Sequence, residues 1–186
     1  MKKRLLLVVM MIGLSLPSFS QAQVFGTGQT LRSGRASFGF EPAFLSNGGN
    51  NEFYMFFHGG YGIKSGLDMG VKLGVLGPQT YIGADFEWNL RPSNPAISFA
   101  VGAHNFIDIG LDGTLNMSFR VNGDVQMFTG LDVDIEFTEP EALTPLWLPI
   151  GLEMGFRRNV DLVFEVEVGL NDDAWNVIGG GLNFYF

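Results

Sequence analysis

Cysteine is missing from this sequence of 186 residues. Without a thiol, the chain cannot form a disulfide, use a cysteine nucleophile, bind metal through thiolates or carry a lipid on an amino-terminal cysteine. The folded protein must therefore be held together by its own packing or by surrounding lipid.

Positive charge is also scarce. The sequence has 11 Lys and Arg residues against 19 Asp and Glu residues, and three of the basic residues lie within the first four positions. Beyond that leading segment, eight basic residues face 19 acidic ones, which gives a formal charge of −11. So negative a chain has no electrostatic attraction for phosphate backbones, so we expect no nucleic-acid partner.

Long apolar runs are confined to the start of the chain. Lys2, Lys3 and Arg4 precede an apolar run over 5–16, and Ser20-Gln21-Ala22 follows it. This order is typical of a secretory signal peptide, and the run of about twelve residues is shorter than the roughly 20 of a spanning helix. We expect cleavage after Ala22. No later run reaches the length of a spanning helix, so residence in a membrane would have to use strands.

By length, the rest of the chain is one domain. We expect a signal peptide at 1–22, a flexible amino-terminal segment at 23–34 and a β-barrel domain at 35–186.

Apolar residues recur at every second position through most of that domain. Leu67, Met69, Val71, Leu73 and Val75, for example, alternate with polar residues or glycine. Period two is the periodicity of a strand, and clusters of Gly, Asn, Asp and Pro between the runs indicate turns. The pattern predicts ten strands, at 35–45, 52–62, 65–76, 79–90, 96–104, 106–121, 124–137, 146–157, 160–170 and 174–186.

Within the strand at 106–121, Asp112-Gly113 could equally form a hairpin turn. One strand there keeps the count even, as in single-chain bacterial barrels. With both termini on the periplasmic side, every outer loop is short, which disfavours adhesion or ligand capture by loops. The predicted outer loops are Leu45–Asn51, Leu76–Gln79, His104-Asn105, Thr138–Pro145 and Asn171–Ala174.

The apolar face is too bulky to fill the lumen of a barrel of eight to ten strands. Glycine recurs on the opposite face, and only Lys64 and Lys72 remain after residue 22, whereas a soluble barrel normally carries many outward lysines. The sequence therefore predicts an all-β, antiparallel up-and-down transmembrane β-barrel of ten strands, with eight as the next count. A soluble periplasmic β-protein that binds an apolar ligand is the alternative.

Three features together resemble the small bacterial outer-membrane β-barrel proteins: the leading segment, the alternation over 35–186 and the ending Leu182-x-Phe184-x-Phe186. In that family a final aromatic residue is recognised by the barrel assembly machinery, and the resemblance implies this role for Leu182, Phe184 and Phe186. It also implies export to the outer membrane and contact with its lipid. The short outer loops, and aromatic residues not gathered into two girdles, depart from the family.

Carboxylates occupy the predicted lumen face. They could act as acid and base or bind a cation, but the favoured interpretation is that they keep the lumen hydrated and pair with inward Lys72, Arg120 and Arg157. Asp132-x-Asp134-x-Glu136 lacks the loop glycine of a calcium hand, so we predict no metal and no cofactor. The predicted lumen-facing acids are Asp85, Glu87, Asp132, Asp134, Glu136, Glu153, Glu165 and Glu167.

His58 and His104 are the only histidines. Proteases and lipid-A deacylases in the resembled family use a histidine at the outer rim, which makes His104, with nearby Asp108 and Ser98, the candidate for a hydrolase. The amphipathic rings are expected to anchor the barrel at the bilayer boundary rather than to stack on a carbohydrate. These rings are Trp88, Trp147, Trp175, Tyr54, Tyr61, Tyr81 and Tyr185.

Taken together, these residues predict a monomeric outer-membrane barrel that is not an enzyme. Its role would be structural, or that of a narrow, porin-like, acidic-lined passage for small solutes or cations. The outer-membrane hydrolase and the soluble β-protein are the alternatives.

Overall fold

The computed structural model describes residues 27–106 and 108–186. The predicted signal peptide lies outside the described residues. The described chain forms ten strands. They are β1 (Ala36–Asn47), β2 (Asn50–Lys64), β3 (Leu67–Val75), β4 (Tyr81–Arg91), β5 (Ala96–Asn105), β6 (Ile109–Arg120), β7 (Val125–Glu136), β8 (Leu146–Arg157), β9 (Val160–Gly169) and β10 (Asn176–Tyr185).

Every strand pairs antiparallel with its neighbours in sequence, and β1 pairs with β10 to close the barrel. Phe38 lies opposite Phe184 and Phe40 opposite Leu182 across this seam. Closure leaves no strand edge with unpaired backbone groups, which is the condition for strands to cross a bilayer. The predicted fold class and the count of ten are confirmed. In the described part of the chain, no helix is long and apolar enough to cross a membrane.

The doubtful pair Asp112-Gly113 lies inside β6. Asp112 pairs with Gly102 of β5 on one side and with Asp134 of β7 on the other. A hairpin there would have broken both ladders, so pairing with two long neighbours decides between the two local conformations.

Strand boundaries differ from the predicted ones by a few residues, most clearly at the first outer loop. The expected loop Leu45–Asn51 shrinks to the two-residue turn Gly48-Gly49, with φ angles of 57° and 95°. Two successive positive φ angles suit a tight hairpin turn and are adopted most easily by glycine. The two strands therefore pair out to Asn47 and Asn50.

The apolar rows point outward. Val71 and Phe164 are each 51% exposed and Ile82 is 58% exposed, in the middle or outer part of their strands. This continuous apolar surface is far larger than the apolar patches that soluble monomeric proteins expose to water, and it is suited to contact with acyl chains. The alternative of a soluble β-protein with these rows in its core is therefore wrong, and the architecture is that of a small outer-membrane β-barrel.

The end of the barrel at which β1 begins is called the inner end below, and the opposite end the outer end. Residues 27–34, here called the strap, cross the mouth of the inner end. The backbone N–H of Gly34 donates to the Gly62 carbonyl of β2, at 2.8 Å. Leu31 N–H donates to Asp68 Oδ2 of β3, at 2.5 Å, and Leu31 is 1% exposed.

The strap continues to the part of the wall that β5 and β6 form, three strands further round the barrel. There Gly28 N–H donates to Ser118 Oγ of β6, at 2.8 Å. Ser98 Oγ of β5 donates to the Thr27 carbonyl, at 3.3 Å. The sequence predicts a flexible segment at 23–34, whereas residues 27–31 are packed and hydrogen-bonded inside the inner mouth, and residues 32–34 are exposed but joined to β2 through the Gly34 N–H.

A charge on the lipid-facing surface tests the outward orientation. We expect Val71→Arg to lower the free energy of unfolding by about 2–4 kcal/mol, because an arginine near the bilayer midplane loses its hydration. Val121→Arg, at the exposed position just after the inner end of β6, is the matched control and should cost only about 0–1 kcal/mol. Urea unfolding in lipid vesicles measures both. Equal losses at the two positions would contradict a bilayer centred near Val71.

Candidate functional site

The lumen has three levels between the inner and outer ends. The inner level holds the strap and a set of buried polar side chains. Gln126 Nε2 donates to Glu153 Oε2 at 2.9 Å, and the Gln29 side chain of the strap donates to Gln126 Oε1. Tyr185 OH donates to Glu153 Oε1 at 3.4 Å. This network, which joins the strap to β7, β8 and β10, fills the inner end.

The middle level is strongly acidic. Lys72 lies among its carboxylates and is attracted electrostatically to Asp85, Asp132 and Glu167. Thr114 Oγ1 donates to Asp132 Oδ1 at 2.5 Å. Seven carboxylates line this level, so negative charge exceeds what Lys72 can balance. They are Glu41, Asp85, Asp112, Asp132, Asp134, Glu165 and Glu167.

Inward glycines make room for these carboxylates. A Cβ on Gly70 would lie 2.8 Å from Asp85 Oδ1, one on Gly102 2.2 Å from Asp112 Oδ2, and one on Gly179 1.9 Å from Glu41 Oε1. Real Cβ atoms do not approach so closely. The glycines recurring on the polar face therefore allow long acidic side chains to lie across neighbouring strands in a narrow barrel.

The outer level is a vestibule of about 460 Å³ with aromatic walls. Tyr54 stacks on Phe56 with a centroid separation of 5.5 Å and meets Phe106 edge-on at 5.7 Å. Trp147 Nε1 donates to the Trp175 carbonyl at 2.7 Å, which fixes the indole at the wall. The floor of the vestibule is the acidic middle level. Lys72 and Asp132 line both the vestibule and a smaller cavity of about 90 Å³ below it.

The predicted site residues fall on all three levels. Arg120 and Arg157 do not pair with the lumen acids as predicted, because both are exposed at the inner ends of their strands. Lys72 and the two histidines lie among the acids instead. Of the eight predicted lumen acids, Glu87 and Glu153 lie at the inner level, Asp85, Asp132, Asp134, Glu165 and Glu167 at the middle level, and Glu136 in the vestibule.

The aromatic vestibule was missed by sequence reasoning. Trp88 and Tyr61 do face outward, but the prediction of boundary anchoring is wrong for the inward rings Tyr54, Tyr81 and Trp147. It is equally wrong for Trp175 and for the buried Tyr185. The sequence did contain one indication. Tyr81 is two and four residues from Gly83 and Asp85, so it lies on the same, lumen-facing side of the strand.

His104 has partners other than the expected ones. Its Nδ1 lies 3.2 Å from Asp112 Oδ1, and its Nε2 lies 3.9 Å from Asp134 Oδ2. Ser98 is six residues along the same strand, or about 20 Å at the rise of a strand, and bonds to the strap. Ser98 is therefore too far from His104 to act as its nucleophile, and the carboxylate at hydrogen-bond distance from His104 Nδ1 is Asp112. His58 lies deeper, with Nε2 3.3 Å from Glu41 Oε2.

The predicted assembly signal lies on the outward face of β10. Leu182 pairs with Phe40 and Leu162, and Phe184 pairs with Phe38 and Val160 across the closing seam. Phe186 is 69% exposed. The intervening Asn183 and Tyr185 are buried in the lumen, so the ending keeps strict alternation.

Comparisons with known proteins give the following. No family model and no curated protein matches the chain. The KdgM porin is similar with a TM-score of 0.49 and 11% identity, over 81% of this chain and 99% of the porin. The N-terminal β-barrel domain of Pseudomonas aeruginosa OprF has a TM-score of 0.39 and 13% identity, over 84% and 100%. The Yersinia pestis outer membrane protein Ail has a TM-score of 0.41 and 13% identity, over 83% and 100%.

A methyl group at an inward glycine tests the crowding of the middle level. We expect Gly102→Ala to lower the free energy of unfolding by about 1–3 kcal/mol, because the new Cβ meets Asp112 and lies 2.7 Å from the Ala84 carbonyl oxygen. Gly113→Ala, which pairs with Val101 on the outward face and has only Val133 at 3.9 Å, is the matched control. Unfolding in urea should show little change there. A control as damaging as Gly102→Ala would contradict the crowding.

Proposed function

We propose that this outer-membrane barrel is a narrow, acidic-lined passage for small organic cations, which enter from the outer end. The observation that carries the proposal is the vestibule, whose aromatic walls lead down to the seven carboxylates around Lys72. A binding cavity usually combines an apolar wall with a few convergent polar groups, and 460 Å³ is within the usual range for small ligands.

The chemistry of the two levels selects the solute. Aromatic faces attract cations through the ring quadrupole, and the partly exposed Phe56, Tyr81 and Trp175 present several rings to the vestibule. Carboxylates below them raise the local concentration of cations in a cleft with low-dielectric walls. A compact amine with an apolar body satisfies both levels, whereas the basic groups that an anion meets among the described lining residues are Lys72 and the two histidines.

The strap decides whether the passage is open. It closes the inner mouth, so a solute that reaches the middle level can cross the barrel only when the strap moves. The strap is tied at separate points, by Leu31 to Asp68 and by Gly28 to Ser118. We therefore propose that the strap is the gate of the passage, and that the closed barrel otherwise holds the solute in the vestibule.

The remaining proposals concern residence and assembly. Export through the leading segment, contact of the outward rows with outer-membrane lipid, and a monomeric state are proposed from the sequence and the continuous apolar surface. Recognition by the barrel assembly machinery is proposed for Leu182, Phe184 and Phe186, which lie together on the outward face of the closing strand.

Solute binding is tested with a matched pair of ligands, phenethylamine and the neutral 2-phenylethanol. We expect the amine to bind more tightly, and Asp132→Asn to weaken amine binding by about tenfold through loss of a charged partner. Tryptophan fluorescence of the detergent-solubilised barrel measures both, since Trp147 and Trp175 line the vestibule. Glu141→Gln, in an exposed part of the outer loop, is the control and should leave binding unchanged. Equal binding of the two ligands would contradict the choice of cations.

The gate is tested by removing residues 27–34. We expect the deletion variant to conduct in planar bilayers with a reversal potential that favours cations, because the mouth is open and carboxylates line the route. Ser33→Ala, at the exposed end of the strap, is the control and should behave as the intact chain. A deletion variant that folds, as judged by heat-modifiable migration, but does not conduct would favour the structural role over the passage. Preference for anions would contradict the acidic lining.

A further inference from the structure

Three possible metal ligands converge on the wall of the vestibule. His104 of β5, together with Asp134 and Glu136 of β7, places one nitrogen and two carboxylate oxygens within 4.8 Å of one another. Asp134 and Glu136 share a face of their strand because they are two residues apart. All three residues also line the vestibule, so water or a solute has access to the space between them.

A glycine allows the histidine to reach across β6. His104 pairs with Gly110, and Gly110 pairs with Glu136, so the three residues form one row across β5, β6 and β7. A Cβ on Gly110 would lie 2.4 Å from His104 Nε2. The imidazole therefore lies over the backbone of β6 in a space that any larger residue would fill, and its Nε2 points toward the carboxylates of β7.

The other ring nitrogen is already engaged. Nδ1 of His104 lies 3.2 Å from Asp112 Oδ1, at hydrogen-bond distance, and Tyr81 stacks on the ring at a centroid separation of 5.4 Å. When Nδ1 is the donor to a carboxylate, the lone pair of the neutral ring is on Nε2. A carboxylate that orients a histidine in this way is the usual outer partner of a metal-binding histidine.

Asp134 gives an independent indication that a cation belongs here. The residue is 9% exposed, and its Oδ1 is buried with no hydrogen-bond partner among the described residues. A buried carboxylate oxygen without a donor is destabilising, so native structures normally satisfy it with a protein group, water or an ion. Asp132 and Asp112 nearby add to the negative potential.

We propose that His104 Nε2, Asp134 and Glu136 bind a divalent transition-metal ion, for which Zn²⁺ is the representative. One imidazole and two carboxylates suit Zn²⁺, whereas Ca²⁺ and Mg²⁺ prefer oxygen ligands throughout. Ligands on a tetrahedral zinc ion stand about 3.4 Å apart. Nε2 and Asp134 Oδ2 are 3.9 Å apart, so small side-chain rotations complete the geometry, and the vestibule supplies the fourth ligand as water or solute.

Metal binding to the whole, detergent-solubilised chain tests the site. After treatment with a chelator, Zn²⁺ titration by calorimetry should give one ion per barrel. His104→Gln and Asp134→Asn should each weaken binding by at least about tenfold, and Asp112→Asn, which leaves all three ligands in place, by about 10–100-fold through loss of orientation. His58→Gln is the matched control, because that inward histidine pairs with Glu41 at a deeper level, and it should bind Zn²⁺ as the unchanged chain does.

A second measurement needs no variant and so does not depend on variants folding. Nitrogen NMR of the unchanged chain should show Zn²⁺ shifting the Nε2 resonance of His104 and leaving His58 in place. Absence of Zn²⁺ binding, equal loss in His58→Gln and His104→Gln, or a shift at His58 alone would overturn the proposal. The amine and conductance experiments are done with chelator present, so the metal site and the passage can fail separately.

Discussion

The structure depends on one constraint, the pairing of every strand with a neighbour on both sides. Backbone groups that face acyl chains find no water, so an open edge would leave a row of donors and acceptors unsatisfied. The seam between β1 and β10 removes that edge. Once the sheet is closed, successive side chains along each strand face either the lipid or the lumen. The outward rows and the inward polar rows are consequences of this closure, and so is the confinement of negative charge inside.

The narrow lumen explains the rest of the composition. Long acidic side chains fit because Gly70, Gly102 and Gly179 leave space for them, and the same device at Gly110 lets His104 cross a strand. The outer level is different in character, since rings rather than charges cover its wall. A gradient from aromatic to acidic therefore runs inward from the outer mouth, and both the proposed solute site and the proposed metal site lie along it.

Much of this was accessible from the sequence, for reasons that particular residues make clear. In β3, from Leu67 to Val75, the lipid-facing side chains are apolar and the lumen-facing residues are polar or glycine, so the period of two is visible in the sequence. Tyr54 and Phe56 were harder, because apolar residues occupy both faces of β2 and polarity no longer reports direction. The neighbours of His104 come from β6 and β7 through cross-strand pairing, which no spacing along the chain encodes. The strap has no strand periodicity, because its backbone bonds singly to side chains and to the Gly62 carbonyl of other strands and forms no ladder.

The strap also has a mechanical consequence. The wall of a barrel is joined only between adjacent strands, so its cross-section can flatten without breaking any ladder. Residues 27–34 run as a chord across the inner mouth, attached to β2 and β3 at one side and to β5 and β6 at the other. Such a brace fixes the distance between these two parts of the wall, so the inner rim resists flattening more than the outer rim, which has no comparable tie in the part of the chain that the structure describes.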